Sequence, residues 1–319
     1  MASARSGRWS RLSPVRPDGS PRLNPFAVAL SDRTPITQNV RRLILAAFLA
    51  VAALGLPGTA QAAPDPDAPP TPWHLALVMI NSQVTMATAQ ADGAQLRAQP
   101  VPADVVGQLR LQMQIADADF RYRSSVRDEQ VVIYGMAVDP AVEAAVIRRL
   151  PAARAVGLER AIGALRSLWR SAGIDDLSQI SLRNNRRYVD SAPVDTLFGL
   201  YQVAGHNRVD WSYLASINFI ESDFGRVNGP SSAGALGPMQ FMPGTWQDYG
   251  AGGDIMSPKD SIQAAAVYLN RMGAPGNMDR AIFRYNNDYD YVAAVQGFAE
   301  AIRADQTWFS RLYYWSTFG

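Results

Sequence analysis

From residue 73 onward the alternation of apolar and polar positions predicts helices. Residues 73–89 read as one. Asp139-Pro140 opens another, Pro151 interrupts it, and 155–172 continues with Val156, Ile162, Leu165 and Leu168 at helical spacing. Residues 131–138 fit either a short strand or part of a helix. Asp210 is a good N-cap for a helix over 211–224 that Gly225 would end. Pro243 begins a short helix containing Trp246. Ser257, Pro258 and Asp260 supply an N-cap, an N1 proline and an N3 acid in a variant capping box, and the Ala-rich helix they start runs to about Met272. Helices over 278–285, stopped at Asn286-Asn287, and over 288–304 complete the pattern.

One position disturbs it. Leu214, Ile217, Asn218 and Glu221 fall at i, i+3, i+4 and i+7, so Glu221 shares a stripe with apolar side chains. Two readings stand at this point. Glu221 is a partly exposed residue near a helix end, or it is a carboxyl held against apolar neighbours. In the second case its charged form is disfavoured and it becomes a usable general acid near neutral pH. The segment after it carries Gly225, Gly229, Gly234 and Gly237, which lets bare backbone approach a ligand or a neighbouring helix. No Gly-Lys-Ser/Thr follows, so it is not a phosphate loop. Gln240, polar between Met239 and Phe241, suits a side chain aimed into a cleft.

Residues 1–39 hold six arginines and several prolines without periodicity. We expect them to be disordered, or to lie upstream of a true start at Val40. Residues 40–63 read as a secretory signal: Arg41-Arg42, an apolar run over 43–56, Pro57-Gly58, and Ala60-Gln61-Ala62 as the cleavage site. That predicts export across the cytoplasmic membrane to a secreted, periplasmic or cell-wall location. Residues 64–72 form a Pro-rich linker, 73–193 a helical accessory region, and 306–319 an aromatic C-terminal segment. Trp308, Leu312 and Trp315 share helical spacing there. That favours packing on the preceding domain over sugar stacking by the cluster they form with Phe309, Tyr313, Tyr314 and Phe318.

Composition narrows the chemistry. The chain is 48% hydrophobic and 18% charged, a globular balance, and its formal charge of +2 is too small to argue for nucleic acid. It has no cysteine, which removes disulfides, thiolate nucleophiles and cysteine-bound zinc. His74 and His206 are its two histidines, a poor basis for a metal site or a serine triad. No cofactor and no metal are expected; carboxylates, hydroxyls and amides must do the work.

The order of motifs then resembles a known family. Glu221-Ser222 is followed by Ser232 through Trp246 (SAGALGPMQFMPGTW), by Ser257 through Leu269 (SPKDSIQAAAVYL), by Tyr285-Asn286 and by Tyr291-Val292. This is similar to lytic transglycosylases with a soluble-type, lysozyme-like catalytic domain, over about residues 194–305. The resemblance implies an all-α, lysozyme-like domain with a long glycan cleft, preceded by the helical accessory region. It implies Glu221 as the catalytic residue, with Ser222, Ser232, Met239, Gln240, Phe241, Tyr285 and Asn286 binding substrate or orienting the glutamate, and the Tyr285 hydroxyl approaching the carboxyl. Pro238 stands where many relatives carry Leu or Trp, and Arg284 where Ala is common. Both bear on the subsites rather than on the catalytic group.

Glycosidases generally place two carboxylates across the scissile bond. Asp223, two residues from Glu221, points to another face, and Asp248, Asp254, Asp260, Asp288 and Asp290 read as caps or turns. The resemblance implies a single-carboxyl reaction on peptidoglycan strands that ends in a 1,6-anhydro ring. A hydrolytic muramidase on the same scaffold and a non-catalytic wall-binding protein are the alternatives. Protein partners among cell-wall enzymes are not specified.

Overall fold

The computed structural model describes residues 70–174, 189–206, 208–227 and 229–315. The expected start and signal, most of the linker, and Phe318 lie outside the described residues. What is described is all-α, with eleven helices and one isolated bridge, Leu236–Phe241.

The helices are α1 (Pro72–Arg97), α2 (Val105–Val138), α3 (Pro140–Ile147), α4 (Ala152–Ser171), α5 (Val194–Gly205), α6 (Trp211–Ser222), α7 (Pro243–Tyr249), α8 (Pro258–Met272), α9 (Met278–Asn286), α10 (Tyr289–Ala304) and α11 (Thr307–Trp315). Their starts are written locally. Thr71 and Pro72, the last two residues of the expected linker, are the N-cap and N1 of α1. Asp139 ends α2 and caps α3, its carboxylate accepting from the Ala141 N–H at 2.8 Å. Ser257 caps α8 through the Asp260 N–H. The reciprocal half of that capping box is not made: the Asp260 carboxylate accepts from the Asp254 N–H instead.

Residues 131–138 are the last turns of α2. Val131, Val132, Ile133, Tyr134, Met136 and Ala137 are all buried, because α2 is covered there by α1, α3, α4 and α11. A helix wrapped on every side loses its polar face, and with it the periodicity that would have separated helix from strand.

The accessory helices share their core with the rest of the chain. α10 packs on α4 on one side and on α6 on the other. The crossing with α4 is close: a Cβ on Gly297 would stand 2.8 Å from the Ala164 Cβ. α11 then folds back onto α2, α6 and α10, burying Trp308, Phe309, Leu312, Tyr313 and Trp315. Each large side chain so buried contributes about 1.5–3 kcal/mol of transfer free energy. Trp308, Leu312 and Trp315 are therefore docked core, as their spacing predicts.

Candidate active site

α6 is buried along its whole length from Ser212 to Ser222 apart from the partly exposed Tyr213, so the stripe that carries Glu221 faces protein. Glu221 is 6% exposed. Its Oε1 accepts a hydrogen bond of 2.7 Å from the hydroxyl of Tyr291, which is fully buried on the first turn of α10. Burial pushes the Glu221 carboxyl up from 4.5 to about 7, and the Tyr291 bond offsets part of that rise by stabilising the charged form. Of the two sequence readings, the sheltered carboxyl is the one the fold contains.

The helix ends at Ser222, two residues before the expected stop. Asp223, Phe224 and Gly225 follow in consecutive left-handed conformations, with φ of 55°, 57° and 85°. The Ser222 hydroxyl explains why the turn starts early. It accepts the Gly225 N–H at 2.9 Å and donates to the Pro238 carbonyl. Ser222 thus ties the helix end to the next loop and makes no bond to Glu221.

That loop, residues 236–241, closes through paired backbone bonds between Leu236 and Phe241. The Pro238 carbonyl also accepts from Asn218 Nδ2 at 2.7 Å, and Asn218 Oδ1 accepts from Tyr201 at 2.5 Å. Gly237 has φ of 76°, and a Cβ there would meet the Ile255 carbonyl oxygen at 1.9 Å. The Gly-rich segment therefore does bring bare backbone against a neighbour, here the 255 loop.

The other expected site residues are placed as follows. Met239 is fully buried and contributes its carbonyl, which accepts from the Tyr285 hydroxyl at 2.7 Å. Phe241 packs its ring against Trp246, Tyr268 and Tyr285 and so fixes the Tyr285 ring. Gln240, at φ of 49°, donates from Nε2 to the Gly237 carbonyl at 2.9 Å, while its Oε1 is buried without a hydrogen-bond partner. Ser232 sits exposed on the turn at 232–233, and Asn286 is half-buried at the end of α9.

The Tyr285 hydroxyl, implied to approach the carboxyl, donates its hydrogen bond to the Met239 carbonyl. Burial and then the Glu221 charge push that hydroxyl well above its ordinary value. The tyrosine that touches Glu221 is Tyr291. It stands within the motifs carrying the resemblance, yet its spacing is that of an ordinary core residue, and only the fold reveals its role.

No second carboxylate joins Glu221 among the described residues. Asp223 is buried beside Arg226, with Nη1–Oδ1 at 3.4 Å. Asp254 accepts from the Met256 N–H, Asp288 caps α10 and holds Ser171, Asp290 pairs with Arg170, and Asp248 is exposed. A second buried carboxyl, Glu129 of α2, belongs to another network: it accepts from Gln83 at 2.9 Å and Arg311 at 3.4 Å.

The described helices form an all-α core with Glu221 buried at the end of α6. Residues 201–296 match the family model described as the Transglycosylase SLT domain, a lysozyme-like all-α domain. No curated protein and no solved structure matches the chain significantly. The family supports a peptidoglycan-related function of the lytic transglycosylase type. α1 to α4 and α11 lie outside the matched segment.

Proposed function

We propose that this chain is an exported peptidoglycan lytic transglycosylase with Glu221 as its single acid and base. The observation that carries the reading is the Glu221 carboxyl: buried, held by one tyrosine, and pushed up to about 7. Near neutral pH both of its protonation states are populated, as a group that must give and then take a proton requires. With Oε1 accepting from Tyr291, the acidic proton sits on Oε2.

In the first step Glu221 donates that proton to the glycosidic oxygen between N-acetylmuramic acid and N-acetylglucosamine. The C1–O bond breaks, and the N-acetylglucosamine 4-hydroxyl leaves. The muramic 2-acetamido group stabilises the oxocarbenium-like C1. In the second step the Glu221 carboxylate takes the proton of the muramic 6-hydroxyl, and O6 bonds to C1 to close the 1,6-anhydro ring. No water is consumed, and the enzyme ends as it began. The lack of a second carboxylate beside Glu221 among the described residues supports this route over the two-carboxylate mechanisms. Export rests on the signal-like segment at 40–63, which suits a wall substrate.

Mass spectrometry of products from purified sacculi tests the proposal. Anhydro-muropeptides from wild type and none from Glu221→Gln are expected. Reducing muramic ends would instead make the enzyme a hydrolase.

A further inference from the structure

We propose that Arg226, braced by Tyr313 of α11, is a positioning residue for Glu221, acting through the left-handed turn that follows the catalytic helix. This rests on the reading of Glu221 as the acid and base, and it adds an element from outside the matched domain.

Three consecutive left-handed residues are an unfavourable way to leave a helix. Non-glycine residues are strained in that region, and for a bulky residue such as Phe224 the conformation is a true outlier. Such a turn persists only where its surroundings over-determine it. Here the surroundings are specific. Arg226 Nη1 reaches the Asp223 carboxylate at 3.4 Å and the Asp223 carbonyl at 3.3 Å. The guanidinium lies over the Tyr313 ring, with Cζ 4.2 Å from its centroid. The Tyr313 hydroxyl donates to the Ala192 carbonyl at 3.0 Å, and the strap containing Ala192 returns two bonds to the turn. These run from the Val189 N–H to the Arg226 carbonyl at 3.0 Å and from the Ser191 hydroxyl to the Phe224 carbonyl at 2.7 Å. Phe224 itself is wedged among Phe219, Phe309 and Tyr313.

The turn matters to the chemistry because Ser222 binds both of its neighbours. The same hydroxyl that accepts the Gly225 N–H donates to Pro238, and the Pro238–Gln240 segment carries the Met239 carbonyl that anchors Tyr285. If the turn relaxes, the end of α6 and the facing loop part together. Water then reaches a carboxyl that now sits dry. The brace acts on geometry and shelter; Arg226 does not reach the carboxyl.

The experiment compares Arg226→Met, Arg226→Lys, Tyr313→Leu and Tyr313→Phe with Leu312→Ala, which removes a fully buried side chain of the same helix outside the brace. The full chain is used. Two quantities are read on folded protein, below each variant's melting temperature: steady-state turnover of sacculi, and the titration midpoint of the Glu221 carboxyl by carbon NMR. Arg226→Met and Tyr313→Leu should lower kcat by about tenfold to a hundredfold with KM little changed. Their Glu221 midpoint should fall toward the ordinary glutamate range. Arg226→Lys and Tyr313→Phe, which keep the charge and the ring face, should recover most of both. Leu312→Ala should lose stability but keep kcat and the midpoint. An unchanged Glu221 midpoint in Tyr313→Leu and Arg226→Met overturns the inference whether or not sacculi are cleaved. So does a parallel change in Leu312→Ala. Failure of the wild type to release anhydro products would instead strike the proposed function, and the titration arm still decides the brace.

Discussion

Tyr291 donates its hydroxyl to Glu221 Oε1 at 2.7 Å across 70 residues of sequence, and both side chains are buried. The bond stabilises the carboxylate against the desolvation that dominates the site. Removing it therefore has a signed consequence. In Tyr291→Phe the charged form loses its donor, so the Glu221 midpoint should rise above about 7 and the alkaline limb of kcat/KM should move to higher pH. We expect kcat at the optimum to fall about tenfold, since the carboxyl also loses its orientation. A pH–rate profile with an unmoved alkaline limb would refute the role given to Tyr291.

The same raised carboxyl ties folding stability to pH. Unfolded, Glu221 titrates near 4.5; folded, near 7. Below the unfolded value it is protonated in both states and costs nothing. As pH rises through the interval the unfolded chain ionises more readily, and native stability is lost, levelling off above the folded value. The span corresponds to about 3 kcal/mol at high pH. Glu221→Gln keeps the acceptor for Tyr291 without the charge. It should match wild type near pH 4 and exceed it by up to about 3 kcal/mol near pH 9. Chemical denaturation at the two pH values checks this, and a pH-independent difference would contradict a buried ionisable carboxyl.

The local pattern draws attention to Glu221 but leaves it open: on a stripe with Leu214, Ile217 and Asn218 it fits either a sheltered carboxyl or a partly exposed helix-end residue, and it is the resemblance that implies its catalytic role. The pattern draws none to Tyr291, because a tyrosine among Val292, Val295 and Phe298 looks like core until the fold places it against a residue on another helix. The end of α6 was misplaced for a similar reason. Gly225 is a plausible stop, but the left-handed run begins at Asp223 because Ser222 makes a non-local bond to Pro238. The caps at Asp139, Asp210, Ser257 and Asp288 were legible because each acts within three residues. The packing of α4 on α10 was not, since it depends on two small residues, Ala164 and Gly297, distant in sequence.

Gln240 offers a test of substrate contact separate from acid–base chemistry. Its Oε1 is buried and unpartnered, while its Nε2 serves the Gly237 carbonyl. Gln240→Met removes a costly unpaired acceptor together with one hydrogen bond, and the two effects nearly cancel. Stability should change by less than about 1 kcal/mol. The resemblance implies that Gln240 contacts sugar; on that reading KM should rise about tenfold, or about 1.4 kcal/mol of binding, with kcat less affected. Unchanged KM would mean that Oε1 faces no sugar donor.

Gly237 sets the loop that presents Pro238, Met239 and Gln240. Two independent penalties fall on any side chain there. Its φ of 76° is unfavourable for an L-residue, and a Cβ would stand 1.9 Å from the Ile255 carbonyl oxygen, a backbone atom that cannot rotate away. Gly234 shares the first penalty alone, with φ of 88° and open space where a Cβ would go. Gly234→Ala should therefore cost about 1 kcal/mol and leave kcat near wild type. Gly237→Ala should cost more, about 2–4 kcal/mol, and should lower kcat because the loop must retreat from the Ser222 and Asn218 donors. Urea unfolding midpoints for the two variants, read beside their turnover on sacculi, separate strain from collision. Equal losses at both positions would show that backbone conformation alone, and not the approach to residue 255, keeps glycine at 237.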